Sequence, residues 1–194
     1  AERFASKFGA AKAYGSYEEL ACDDEVDAGY IGTPHSFHRD HTILCLRAGR
    51  SVLCEKPLAI DAREASEMIA AAAELEGAGA GSGPALMEAM WTRFLPAMVR
   101  VRELVSAGAL GEIRLVRADF GFLADFDPAG RLFDPALGGG ALLDVGVYPV
   151  SLAHMVLGVP EAVGSRVATG ETGVDEESVA VLWYPDGAKA RLTM

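Results

Sequence analysis

Four groups of residues in this sequence combine side chains and spacing that are suited to chemistry. In the first, a short apolar run ends at Glu55 and Lys56, and Pro57 closes it. Such a run predicts a buried parallel strand, and open α/β sheets bind ligands at the carboxyl ends of their strands. Pro57 restricts Lys56 to extended or turn geometry, and a cis bond between them would aim the lysine into a cleft. A strand that ends in an exposed ion pair is the alternative interpretation.

The second group is Asp144 and Tyr148, which lie four residues apart on either side of Gly146. On a helix this spacing places the acid and the phenol on one face. A tyrosine has an unperturbed pKa of about 10, and a neighbouring ammonium group lowers that pKa. Lys56 beside Tyr148 would therefore form a general acid/base pair. The alternative is a buried aspartate that caps the backbone and a tyrosine that fills the core.

The third group is the turn Thr33-Pro34, which follows a predicted strand and opens a helix. Such a turn offers backbone N–H groups and a favourable dipole to an anionic ligand. His35, His38 and His41 have the i, i+3, i+6 spacing, which spreads them too widely for joint ligation, and no acid or cysteine completes a metal site. His38 is either a contact on the cofactor side or a histidine that packs its helix.

The fourth group is Trp91 and Arg93, which follow the last predicted parallel strand. A guanidinium group next to an indole is suited to clamping a cofactor edge or a phosphate. The same two residues are equally typical of a hinge between domains that the indole packs. The sequence alone leaves both interpretations open.

The elements that must position these groups fall into two regions. Strands and helices alternate over residues 1–90, which predicts a parallel, doubly wound sheet. Ser16 with Glu19 has the spacing of a capping box, and Asp61 is placed to cap a long helix. The glycine-rich residues 77–84 lack the register of a phosphate loop and are interpreted as a flexible connection. The predicted helices are 1–9, 17–20, 36–49 and 61–76, and the predicted strands are 27–32, 51–55 and 85–89.

The pattern changes near residue 90, where a second, α+β domain over residues 91–194 is predicted. Several strands follow one another there without helices between them, which predicts an open antiparallel sheet. Residues 185–187 (PDG) form a turn sequence between the last two strands. The predicted helices are 96–107 and 137–157, the latter beginning at three glycines, and the predicted strands are 113–122, 163–169, 178–184 and 188–193.

Composition excludes several classes of protein. The net charge of −11 argues against a nucleic-acid partner, because no basic stripe offsets it. The cysteines Cys22, Cys45 and Cys54 are widely spaced, which favours free thiols in a reducing cytoplasm over a disulfide framework. No run approaches the length of a membrane span and no signal peptide opens the chain, so no membrane is expected. The chain also begins and stops as though within elements, as a fragment would.

The motifs TPHSFH, VLCEKPL, MEAMWTRFLP, LGEIRLVRADFGF and GGGALLDVGVYPVSLAHMVLG occur in this order. Together they resemble the Gfo/Idh/MocA family of NAD(P)-dependent oxidoreductases over essentially the whole chain. The resemblance implies a Rossmann domain, here partial, followed by a partial substrate and oligomerisation domain. It also implies NADP or NAD as cofactor, with NADP favoured. A homodimer formed through the C-terminal sheet is expected on physical grounds, because an open sheet with one apolar face tends to be covered by a partner.

The resemblance implies a role for each motif residue. Lys56 is the lysine of the EKP motif, Tyr148 takes the acid/base position, and Asp144 matches an aspartate on the substrate side. The implied reaction moves a hydride between nicotinamide and a sugar, polyol or cyclic diol. The residues implied in cofactor binding are Thr33, Pro34, His38, Glu55, Lys56, Pro57, Trp91 and Arg93.

One departure from the family pattern bears on activity. The family's phosphate loop and the residue that selects NAD or NADP belong to a first βαβ unit, which this chain lacks. The expected function is therefore that of a complete parent protein. Two alternatives are a noncatalytic nucleotide sensor on the same scaffold and an inactive fragment. The catalytic hypothesis requires the ammonium group of Lys56 to lie close to the phenol of Tyr148.

Overall fold

The computed structural model describes residues 1–76 and 83–194. Its contacts divide the chain into two units. The first contains Ala1–Thr33 and Phe37–Ala89, and the second contains Pro34–Ser36 and Met90–Met194. Of the predicted glycine-rich connection, residues 77–82 lie outside the described residues.

The first unit contains a three-stranded parallel sheet in the order β1-β2-β3. In register, Ile31 at the end of β1 lies beside Cys54 at the end of β2, which lies beside Glu88 of β3. The predicted parallel sheet is thus confirmed. The elements are α1 (Glu2–Phe8), α2 (Tyr17–Cys22), β1 (Ala28–Ile31), α3 (His38–Arg47), β2 (Ser51–Cys54), α4 (Ala62–Glu76) and β3 (Leu86–Glu88). A 3₁₀ turn at His35–Phe37, whose first two residues belong to the second unit, precedes α3 in the sequence.

Two predicted helix caps are present in the first unit. The Ser16 hydroxyl accepts a hydrogen bond from the backbone N–H of Glu19 at 3.1 Å, and the Glu19 carboxylate accepts one from Gly15 N–H at 2.8 Å. Asp61 accepts from Glu64 N–H at 2.7 Å. Each bond satisfies a donor that the first turn of a helix leaves without a partner, so local sequence determines where α2 and α4 begin.

The parallel sheet buries one face against its crossover helices. Leu46 of α3 and Met68 of α4 are both 0% exposed and pack with the strands. Successive right-handed crossovers that advance in one direction place their helices on the same side of a sheet. The opposite face carries the register partners Tyr30, Leu53 and Met87, which are 62%, 38% and 45% exposed.

The reactivity of the three cysteine thiols tests which of them are buried in the core of the first unit. Burial raises the pKa of the Cys54 thiol to about 11 and also raises the pKa of Cys45, whereas Cys22 is exposed. Because the thiolate is the reactive form, we expect one thiol to react rapidly with a disulfide reagent in the native protein and all three in denaturant. A Cys22→Ser variant should lose the rapid phase, and a second rapid thiol would contradict the described packing.

The second unit contains a four-stranded sheet in the order β4-β7-β6-β5. Strands β5, β6 and β7 are antiparallel as predicted, but β4 runs parallel to β7. A parallel pair needs a crossover connection, and a helix lies between these two strands in the sequence. The elements are α5 (Pro96–Ser106), β4 (Leu115–Asp119), α6 (Val147–Leu157), β5 (Ala162–Thr169), β6 (Asp175–Trp183) and β7 (Lys189–Thr193), with a 3₁₀ turn at Trp91–Phe94.

The helix predicted over residues 137–157 begins later than predicted, at residue 141, and its first turn is π-helical. A 3₁₀ turn at Pro135–Leu137 is followed by non-helical glycines, then by a π-helical turn at Leu142–Gly146 that leads into α6. Gly138 and Gly140 have φ angles of 75° and 121°, which interrupt a right-handed helix and which residues other than glycine rarely adopt.

The stretch Pro135–Leu157 is, by length and composition alone, apolar enough to cross a membrane, a test that core helices of soluble proteins also pass. Within this stretch Val145 and Ala153 are buried in a hydrophobic core. Leu182 of β6 and Leu192 of β7 belong to the same core. Core packing therefore accounts for part of the apolar character of this stretch.

Candidate functional site

Two of the predicted site segments meet at one edge of the first sheet. Because β1 and β2 are parallel and in register, the turn at Thr33 and the EKP motif both follow carboxyl ends of neighbouring strands. The N–H of Glu55 extends the pairing by donating to Ile31 O at 2.9 Å. Lys56 N–H donates to the Glu55 carboxylate at 3.1 Å, and the Lys56–Pro57 bond is cis.

His38 connects these two segments. Its side chain is 0% exposed, with Nδ1 at 2.8 Å from Pro57 O and Nε2 at 2.9 Å from Thr33 O. A histidine held in this way fixes the turn after β1 against the EKP motif. The structure thus shows His38 packing its own helix against both segments, and its contact with a cofactor stays a prediction.

Two further side chains shape the EKP segment. The Tyr30 hydroxyl donates to the Glu55 carboxylate, and this bond raises the pKa of Tyr30. The Glu88 carboxylate accepts from Leu58 N–H at 2.8 Å. Sequence reasoning missed Glu88 in this role, although an acid at the end of the adjacent strand was the available signal.

Tyr148 lies in an aromatic cluster of the second unit. The indole Nε1–H of Trp91 donates to the Tyr148 hydroxyl oxygen at 2.9 Å. The Tyr148 ring makes edge contacts with Trp91 and Phe120, at centroid distances of 5.8 and 5.0 Å. Trp91 therefore holds the hydroxyl of the predicted acid/base residue, a contact that the sequence did not predict.

This cluster forms part of the wall of a cavity of about 260 Å³. Half of the remaining lining residues come from α5 and α6, most of the remaining residues are apolar, and Arg93 and Asp119 bring one cation and one carboxylate to the wall. A largely apolar cavity with few polar groups is typical of small-molecule sites. The residues that line it include Trp91, Arg93, Leu95, Met98, Phe120, Tyr148, Leu152 and Met155.

Asp144 occupies a different position from Tyr148. It lies in the π-helical turn, is 6% exposed, and accepts a hydrogen bond from Arg131 Nη1 at 2.8 Å. It lines a separate cavity of about 220 Å³, to which Asp175 and Glu176 also contribute. A π turn contains more residues than an α turn, so the i, i+4 spacing does not place Asp144 directly beneath Tyr148. The two residues line different cavities, and their position on one helix face stays a prediction.

Arg131 was not identified from the sequence, because an exposed arginine in a long loop carries no spacing signal. Its contact with Asp144 joins two residues that are thirteen positions apart. An ion pair with a buried carboxylate is a strong hydrogen bond, and it compensates part of the cost of burying the charge. Arg131 is thus a candidate for orienting Asp144.

The start of the helix that carries Asp144 is fixed by two contacts. Asp175 accepts from Leu142 N–H at 2.6 Å, and His35 Nδ1 lies 2.8 Å from Gly138 O. The structure therefore uses His35 to hold the glycine turn, which the histidine spacing did not indicate. Asp175 caps the helix from β6, across the sequence, and only the tertiary fold reveals it.

The other histidine in the spacing pattern has separate partners. His41 Nδ1 lies 3.2 Å from the Thr33 hydroxyl, and its ring stacks on Phe37 with an interplanar angle of 10°. Over residues 1–76 and 83–194, no group of three His, Cys, Asp or Glu side chains comes together as a metal site.

Comparison with protein families assigns both regions of the chain. Residues 1–78 match the model described as "Oxidoreductase family, NAD-binding Rossmann fold". Residues 98–194 match the model described as "GFO/IDH/MocA C-terminal domain". The second match covers half of the chain, and the two together cover most of it.

Individual relatives agree with these matches. Mouse trans-1,2-dihydrobenzene-1,2-diol dehydrogenase is 44% identical over 195 residues, which are 100% of this chain and 56% of the relative. The chain therefore spans about half the length of the curated relatives it matches.

Solved structures show the same similarity. A 3-ketoreductase from Actinomadura kijaniata, in complex with NADP and TDP-benzene, has a TM-score of 0.84 at 32% identity. The match covers 100% of this chain and 57% of the ketoreductase chain. A levoglucosan dehydrogenase in complex with NADH and levoglucosan has a TM-score of 0.86 at 25% identity. The match covers 100% of this chain and 54% of the dehydrogenase chain.

Proposed function

Because this chain belongs to the GFO/IDH/MocA family of oxidoreductases, we propose that the complete protein is an NAD(P)-dependent dehydrogenase of a cyclic diol or sugar. The observation that carries this proposal is the Tyr148 hydroxyl, held by Trp91 at the wall of a mostly apolar cavity. An apolar wall accommodates the carbon ring of a cyclic diol more readily than the hydroxyl groups of a sugar. Cyclic diols are therefore the first substrates to test.

In the proposed reaction Tyr148 exchanges a proton with the substrate. During oxidation the substrate hydroxyl gives its proton to the Tyr148 phenolate, the C–H bond breaks, and a carbonyl group forms. A bound nicotinamide dinucleotide supplies the acceptor for the hydride. Lys56 supplies positive charge near the reacting oxygen, and the role of Asp144 on the substrate side stays a prediction, because Asp144 lines a separate cavity from Tyr148. The pairing of Lys56 with Tyr148 stays a prediction.

The residues proposed to hold the cofactor come from the turn after β1, the EKP motif and the segment that contains Trp91 and Arg93. The carboxyl ends of β1 and β2 lie side by side, which fits a dinucleotide crossing the sheet edge. Structural relatives bind NADH or NADP, and we favour NADP for this protein. The proposed cofactor contacts are Thr33, Pro34, His38, Glu55, Lys56, Pro57, Trp91 and Arg93.

We also propose a homodimer formed through the C-terminal sheet. Leu115 and Trp183 are both register partners of Lys189, so they lie on one face of that sheet, and they are 55% and 37% exposed. Exposed apolar side chains on a sheet face favour contact with another copy.

The free thiols support a reducing, cytoplasmic location, and the net charge of −11 argues against nucleic acid as a partner.

Hydride transfer tests the proposed function directly. We expect the complete protein to reduce NADP⁺ when it is supplied with trans-1,2-dihydrobenzene-1,2-diol or a related cyclic diol, as measured by the absorbance of the reduced nicotinamide. Aldoses and the same assay with NAD⁺ are the comparison arms. Binding of NADPH without turnover on any substrate of this panel would favour a nucleotide sensor over an enzyme.

A further inference from the structure

We propose that Trp91 is a positioning residue for proton transfer, and that its indole N–H fixes the Tyr148 hydroxyl and stabilises the phenolate. This inference rests on the proposed function and gives Trp91 a role other than cofactor binding. The carrying observation is the hydrogen bond of 2.9 Å from Trp91 Nε1 to the Tyr148 oxygen. Both residues belong to the second unit.

The direction of this hydrogen bond follows from the chemistry of the indole ring. An indole Nε1–H donates and has no lone pair with which to accept, so the Tyr148 oxygen must be the acceptor. The proton of the Tyr148 hydroxyl is then directed away from Trp91. The bond becomes stronger when Tyr148 is ionised, because hydrogen bonds to charged groups are stronger than neutral ones.

The backbone around Trp91 is built to hold the indole in place. Trp91 begins the 3₁₀ turn Trp91–Phe94, in which Arg93 N–H donates to Met90 O at 3.0 Å. Met90 is 4% exposed and anchors the turn, although the Trp91 residue itself is 52% exposed. Phe120 contacts the Tyr148 ring at an interplanar angle of 63° and limits its movement. The phenol is thus held by two aromatic neighbours.

The two possible roles of Trp91 predict different kinetics. Without the indole donor the Tyr148 phenolate is less stable, so it is less available to accept the substrate proton. We therefore expect kcat for oxidation to fall by about 10- to 100-fold at neutral pH. The KM for the dinucleotide should stay the same, because the lost donor acts on Tyr148. Loss of a cofactor contact would instead raise KM for the dinucleotide and leave kcat unchanged.

The hydrogen bond itself is measured first, without reference to activity. The chain contains two tryptophans, so its nitrogen–proton NMR spectrum should show two indole signals. In a Tyr148→Phe variant we expect the Trp91 signal to move upfield while the Trp183 signal stays in place. An unchanged Trp91 signal in Tyr148→Phe would overturn the proposal.

The kinetic test uses Trp91→Phe in the complete protein, with Tyr184→Phe as the control, because Tyr184 is a buried aromatic residue that does not line the cavity. We expect Trp91→Phe to lower kcat without a change in the KM for the dinucleotide, and Tyr184→Phe to retain the original rate. A Trp91→Phe variant with unchanged kcat, or with only a raised cofactor KM, would overturn the positioning role. If the unsubstituted protein transfers no hydride, the proposed function fails and this role fails with it, whatever the NMR signal shows.

Discussion

Replacing Tyr148 by phenylalanine in the complete protein should lower kcat by about 10²- to 10⁴-fold, the range that general acid/base groups contribute. The variant keeps the ring that packs against Trp91 and Phe120 but loses the oxygen that exchanges the proton. Cofactor affinity should stay the same, because the phenol acts on the substrate. Steady-state kinetics and a separate titration with NADPH measure the two effects.

Tyr184→Phe is the matched control for that experiment. Tyr184 is 3% exposed, and its hydroxyl has no hydrogen-bond partner among the described residues. Removing a buried hydroxyl without a partner leaves no group unsatisfied, so we expect the rate to be unchanged and the stability to be equal or slightly higher. A Tyr148→Phe variant that turned over as fast as Tyr184→Phe would remove Tyr148 from the acid/base role.

Gly140→Ala should destabilise the second unit by about 2–4 kcal/mol, the sum of backbone strain and a lost helix cap. Gly140 has a φ angle of 121°, and a Cβ atom there would lie 2.2 Å from Asp175 Oδ1. Asp175 would have to move, and its other oxygen would then lose the bond to Leu142 N–H. Both tryptophans belong to the second unit, so tryptophan fluorescence during urea unfolding reports its stability.

The variant Gly108→Ala distinguishes the cost of backbone strain from the cost of a steric clash with a neighbouring side chain. Gly108 has a φ angle of 66°, with nothing within 4 Å of the added Cβ, so this variant should lose only about 1–2 kcal/mol. The double variant Gly140→Ala with Asp175→Ala should lose less stability than the sum of the losses in the two single variants. Without the Asp175 side chain, the Cβ atom at position 140 no longer collides with it. Strictly additive losses would show that Asp175 does not contact position 140.

Local signals in the sequence were sufficient for most of the elements and for one part of the site. The caps at Ser16 and Asp61 depend on residues three positions apart, and the apolar run before Glu55 marks a buried strand by itself. The parallel register of β1 and β2 then follows from the alternation of strands and helices. For this reason the position of the EKP motif at a sheet edge was predictable.

The remaining features depend on partners that are distant in the sequence. The pairing of β4 with β7 and the contact of Asp175 with the start of the Asp144 helix each cross long stretches of chain. The hydrogen bond from Trp91 to Tyr148 joins residues 57 positions apart. Spacing rules describe neighbours on one element, so they carry no information about such pairs.

The π-helical turn at Leu142–Gly146 gives this region an unusual sensitivity to chain length. Each residue advances a regular helix by about 100°, so the loss of one codon here would close the turn as an ordinary helix and rotate Asp144 relative to Tyr148. Point substitutions alter one side chain at a time, whereas a one-residue deletion would redistribute which groups face each cavity. Within such a family, substrate preference would then change through gaps in an alignment as well as through exchanged residues.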